Sequence, residues 1–152
     1  MSDISTIRTD IHTAFNNIIA VNSATKITST NVHASYNNRQ CIKEGYPQVI
    51  IKESTMPTQR LTIGGTGSDT TSIYKIPFRI PIDIHHNSAA NVKSVADEVY
   101  NAILLGKERL RSTYNLYDIN FDEDSIQVVE YTQKSTNHIY TLNVTGLFMD
   151  TK

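Results

Sequence analysis

The chain has 152 residues, 39% of them hydrophobic, with 14 Lys plus Arg against 15 Asp plus Glu. That is chain enough for one domain burying roughly 68–70% of its unfolded surface, and a net charge of -1 supplies no global pull toward nucleic acid or an anionic membrane. A single cysteine, Cys41, excludes an internal disulfide framework and a CxxC metal knuckle, and no stretch approaches the ~20 apolar residues of a membrane span.

The opening MSDISTIRTD lacks a cationic segment ahead of an apolar run, so the sequence reads as one made and folded in a reducing cytoplasm. Apolar residues then recur at Ile4, Ile7, Ile11, Phe15 and Ile18. That spacing predicts an amphipathic helix with one buried stripe, capped by Ser2 or Asp3. The polar stretch Asn22–Arg39 offers at most a short strand around Ile27, Val32 and Tyr36. Tyr46–Glu53 reads as a strand through Val49, Ile50 and Ile51, with Pro47 at its mouth. From Ser54 to Ser72, Gly64, Gly65 and Gly67 among many Thr and Ser residues predict a long polar loop.

The strongest pattern follows. Tyr74, Ile76, Phe78, Ile80, Ile82 and Ile84 alternate with Lys75, Pro77, Arg79, Pro81 and Asp83. Unbroken period-2 alternation predicts an antiparallel strand with one face buried, about 36 Å long at ~3.3 Å per residue. Pro77 and Pro81 share a parity, so both would remove N–H donors from the same lateral edge, which predicts an edge strand. Asn87 or Ser88 then caps a helix expected to run to about Arg111, with Val92, Val95, Ala96, Val99, Ile103 and Leu110 on its stripe. Gly106 lies on the same face, where close packing would require it. The last third reads as a meander of Tyr114–Phe121, Ser125–Gln133 and His138–Met149. The expected fold is one α+β domain over 1–152: an antiparallel sheet of four to five strands with two helices on one face.

Candidate chemistry is sparse. Gly64–Gly67 lacks the Lys and the following helix that a phosphate loop needs. Asp83, His85 and His86 cluster at a strand end, with Asp83 and His85 on one face, but no third metal ligand is in view. Cys41 carries no nucleophile signature around it, and no G-x-S-x-G elbow exists. Asp118, Asp122, Glu123 and Asp124 form a local acidic group that reads as a solvated hairpin turn or as an electrostatic surface.

The helix, the strand entry Tyr46-Pro47-Gln48-Val49-Ile50-Ile51, the polar excursion, the long alternating strand Tyr74–His85 and the small-residue helix after it come in a distinctive order. In that order the chain resembles the tail terminator and tail-completion (neck) proteins of long-tailed phages and related archaeal viruses. It departs from their pattern at Asn22–Arg39. The resemblance implies a non-enzymatic virion protein of the tail or neck: a homo-oligomeric ring, six copies by the family pattern. The ring would cap the tail tube, meet the head–tail connector, let DNA pass without specific binding and need no cofactor. Under that reading Arg60, Leu61, Ile63, Lys75, Arg79 and Asp83 are the candidates for contact with a neighbouring subunit or partner. Asp122, Glu123 and Asp124 are the candidates for the channel lining. Two other readings compete with it: a ferredoxin-like small-ligand regulatory domain, and a metal-dependent enzyme built around Asp83, His85 and His86.

Overall fold

The computed structural model describes residues 4–22, 32–34, 47–52, 54–56, 61–63, 73–122, 125–132 and 135–151. In chain order they form α1 (Ile4–Asn22), β1 (Val32–Ala34), β2 (Gln48–Ile51), β3 (Leu61–Ile63), β4 (Ile73–His86) and α2 (Ala89–Leu105). α3 (Lys107–Tyr114), β5 (Leu116–Phe121), β6 (Ser125–Thr132) and β7 (Ser135–Thr151) complete them. The fold is α+β, with the helices packed against one face of a sheet.

Two long strands make the frame. β4 and β7 pair antiparallel without a register break from Ile73↔Thr151 to His86↔His138. β5 and β6 lie end to end along the outer side of β7, Leu116 facing Phe148 and Ser125 facing Thr141. On the other side of β4, β2 pairs with residues 82–85 and β3 with residues 73–75, and β1 adds to β2 in parallel. The sheet therefore holds seven strands, yet its longest side-by-side order, β1-β2-β4-β7-β5, is five. The extra strands are short pieces sharing the two long ones.

β4 is not the edge strand that its prolines predict, since it has neighbours on both sides. The parity of the prolines nevertheless leaves its mark. Thr55 and Arg79 exchange backbone hydrogen bonds of 2.7 and 2.9 Å, so odd-numbered residues of β4 aim their backbone groups away from β7. Lys52 N–H reaches the Pro81 carbonyl at 2.9 Å, but Pro81 has no N–H to return. The regular ladder of β2 ends at Ile51, one residue before this point, and the edge continues only as the Thr55–Arg79 bridge and β3. The prolines interrupt the ladder, and short segments cover the edge on either side of them.

The excursion 54–72 is likewise not a loop throughout. Ser54 is buried, Thr55 bridges to Arg79, and Leu61–Ile63 forms β3 against Lys75–Ile73. Its three glycines, like Cys41, lie outside the described residues.

The helix expected to reach Arg111 is broken. Ser88 caps α2, its Oγ accepting from Asn91 N–H at 3.5 Å, and α2 ends at Gly106, where α3 begins. A Cβ at Gly106 would stand 2.3 Å from Ile18 Cγ2 and 3.0 Å from Asn22 Nδ2, so glycine lets α1 approach the junction closely. Tyr114, read from sequence as the start of a strand, closes α3 instead, and Asn115 turns the chain in the left-handed region (φ 58°).

The core lies between the helices and one sheet face. Ile7, Ile11, Phe15 and Ile18 of α1 and Val92, Val95, Val99 and Ile103 of α2 meet Ile76, Phe78, Ile80, Ile82 and Ile84 of β4. Phe15 and Phe78 meet edge to face, with centroids 6.1 Å apart and planes at 67°. Full burial of each such aliphatic is worth about 1.5–3 kcal/mol, so this face supplies most of the driving force for folding.

Candidate functional site

The alternate residues of the same strands build the opposite face, and register alone divides it into two zones. At one end Gln48 pairs with His85 and His85 with Ile139. In the next row Ile50 pairs with Asp83 and Asp83 with Thr141. Gln48, Ile50, His85 and Ile139 are buried, and Asp83 is only 5% exposed. Its carboxylate accepts from Lys52 Nζ at 2.9 Å and from Thr141 Oγ1 at 2.8 Å. Lys52 comes from the residue just past β2, where the Pro81 break frees it from the ladder. Two donors satisfy the buried carboxylate, so Asp83 works inside the chain and is not an outward contact of the kind expected beside Lys75 and Arg79.

Alternation also settles the histidines. His86 falls on the helix side of β4, where its Nδ1 accepts from Ser88 N–H at 3.2 Å. Asp83, His85 and His86 therefore do not converge on one point. Among the described residues no group of three or more His, Cys, Asp or Glu side chains is placed to hold a metal.

At the other end the face is open. Arg79 faces Thr145, which also faces Asn120. Pro77 faces Leu147, which also faces Tyr117, and Lys75 faces Met149. Over these rows lies a shallow depression of about 490 Å³, lined by Met56, Pro77, Phe78, Gly146 and Leu147 and rimmed by Arg79 and Asp118. Gly146 is part of its lining, and on the core side its missing Cβ gives room, since a Cβ there would stand 2.7 Å from Phe78 Cζ and 2.8 Å from Ile119 Cδ1. Asp118 sits at the break in register between Tyr117 and Asn120 with φ 53°, and its carbonyl accepts from Asn120 Nδ2 at 3.1 Å. Asp118 also lines a second hollow with Lys107, Glu108 and Arg111 of α3.

The structure brings together two groups that the sequence kept apart. Arg79, a partner-contact candidate, lies 3.7 Å from the carboxylate of Asp122, a channel-lining candidate, and both are half exposed. They occupy one patch rather than two separate surfaces. Lys75 is half-buried on the same face. Leu61 and Ile63 pair with Lys75 and Ile73 through the backbone of β3. Arg60, Glu123 and Asp124 lie outside the described residues. The depression itself had no signal in the sequence beyond Gly146 in an alternating strand and Asp118 among its acidic neighbours. No protein-family model matches the chain, and no curated protein matches it significantly in sequence.

Proposed function

We propose that this chain is a virion structural protein of the tail terminator type, a ring that caps the tail tube, meets the head connector and passes DNA through its centre. The observation that carries the reading is the asymmetry of the sheet. Among the described residues, one face of the β4–β7 frame is buried under the chain's own helices from Ile76 to Ile84 and from Leu142 to Phe148, while part of the other carries a depression with apolar and charged lining. A surface of that kind suits a contact with another protein rather than catalysis. The order of elements quoted for the family resemblance adds to it: helix, strand, excursion, long strand, helix and returning strands. An acidic or neutral channel would let DNA slide, because cations held against phosphates would retain it.

Native mass spectrometry across a concentration series, followed by negative-stain microscopy of the largest species, tests the reading. The expected result is a closed ring, with six copies the number that the family resemblance implies. A chain that stays monomeric at high concentration and with a tail-tube protein added would overturn it.

A further inference from the structure

We propose that the hollow between α2 and β7 beside Tyr100 takes the side-chain end of an arginine presented by another protein. The inference is independent of the ring reading and concerns the helix side of the sheet, at its outer margin. The hollow measures about 200 Å³ and is lined by Ala96, Asp97, Tyr100, Tyr140 and Leu142. That is below the ~300 Å³ at which small-molecule sites begin, and it suits the end of one side chain. Ala96 and Leu142 are buried and give it an apolar base. Tyr100, 39% exposed, stands against Phe121 with centroids 4.2 Å apart and planes at 37°, a contact that holds its ring beside the hollow.

The charges around the hollow select the occupant. Asp97 and Tyr100 are three residues apart and share a flank of α2. The exposed Asp97 carboxylate has no hydrogen bond or ion pair among the described residues. Lys93, one turn earlier on α2, makes no ion pair with it, and Lys107 and Arg109 lie beyond the Gly106 break. Glu98 adds a second carboxylate to α2, with a contact of its own. On β7 the titratable neighbour on this face is His138, two residues before Tyr140, with a buried Nδ1 that has no hydrogen-bond partner among the described residues. Asp122, next to Phe121, pairs with Arg79 across the sheet. From Asp122 to Thr132, through the strand β6 that flanks β7, the sequence holds four acidic residues, Asp122, Glu123, Asp124 and Glu130, and no Lys, Arg or His.

Acid therefore outweighs base around a hollow with tyrosine walls, a combination that favours a cation on an aliphatic stem. Arginine suits it better than lysine. A planar guanidinium can lie on a tyrosine ring while its fork meets the Asp97 carboxylate, whereas an ammonium is a point charge.

The test titrates the full chain with Nα-acetyl-arginine methylamide at fixed ionic strength, following backbone amide shifts by two-dimensional NMR. Nα-acetyl-citrulline methylamide serves as the neutral isostere and Nα-acetyl-lysine methylamide as the ammonium counterpart. The arginine probe should bind weakly and saturably, with shifts centred on residues 96–100 and 140–142, and both other probes should bind less well. Asp97→Asn and Tyr100→Leu should each weaken it about two- to fivefold, the size of an exposed ion pair or cation–π contact. Tyr100→Phe, which keeps the aromatic face, should bind like the parent, and it decides the matter where Tyr100→Leu fails to fold. Citrulline binding as tightly as arginine, Asp97→Asn without effect, or no shift at these residues would overturn the site. A lysine probe that matches arginine would overturn the choice of arginine.

Discussion

The two faces of the sheet are written by the same strands, residue by residue in alternation, and they obey different rules. On the helix side every described inward position of β4 from Ile76 to Ile84 is aliphatic or aromatic and buried. On the other side the alternate residues run from the satisfied pair Asp83–Lys52 to the open rows around Pro77 and Leu147. Burial can be completed by the chain on one side only, because all three helices pack there. The lesson is that a strand's alternation reports which residues point together but not what will cover each side.

Breaking the closed face should have the largest effect. Phe78 is buried between Phe15 and Gly146, so Phe78→Ala should cost about 3–5 kcal/mol in urea unfolding. A loss under about 1 kcal/mol would mean that this face is not the core.

The next test joins the two faces through Gly146. Its missing Cβ makes room for the Phe78 ring on the core side, and the residue also lines the depression. Gly146→Ala should cost about 2–3 kcal/mol by overpacking. Combining it with Phe78→Leu should cost less than the two single changes added together, since the smaller side chain relieves the clash. Strict additivity in a double-mutant cycle would show that the two side chains do not share this space.

The closed face was legible in the sequence for a physical reason. Ile76, Phe78, Ile80, Ile82 and Ile84 follow a period of 2, Val92, Val95, Val99 and Ile103 a helical one, and burial of both is decided locally by periodicity. The α+β class, the long strand and the buried stripe of α1 followed from that. Lateral neighbours were not legible in the same way. Pro77 and Pro81 announce missing donors, but whether an interrupted edge stays bare or is patched depends on where residues 52–63 return in space. The break at Gly106 depends on the approach of Ile18, far away in sequence. The pairing of Asp83 with Lys52 and Thr141 is long-range too, which is why a buried carboxylate passed for an outward-facing one.

A smaller effect should sharpen the contrast within the second face. Thr141→Val removes one donor from the buried Asp83 carboxylate while keeping the shape of the side chain. It should cost about 1.5 kcal/mol, the lower end for a hydrogen bond to a charged group, because Lys52 still serves the other oxygen. The equivalent change in the open zone, Thr145→Val, should be nearly neutral in the isolated chain, since its only described side-chain bond is a 3.5 Å contact to the Asn120 carbonyl. Equal costs at the two positions, measured by chemical denaturation, would erase the distinction between a sealed and an open zone.

The smallest effect has the opposite sign. Asp118 holds a left-handed backbone, φ 53°, at the rim of the depression, a conformation that glycine adopts without steric cost and that aspartate tolerates less well. Asp118→Gly should therefore stabilise the monomer by about 0.5 kcal/mol, part of the relieved strain being offset by the greater freedom of glycine in the unfolded chain. Asp118→Ala, which keeps the Cβ and loses the carboxylate, should not stabilise. A variant less stable than the parent would show that the bulge is not held in the left-handed region. A more stable variant would show that the strain at position 118 belongs to the bulge itself, where Asn120 Nδ2 donates to the Asp118 carbonyl.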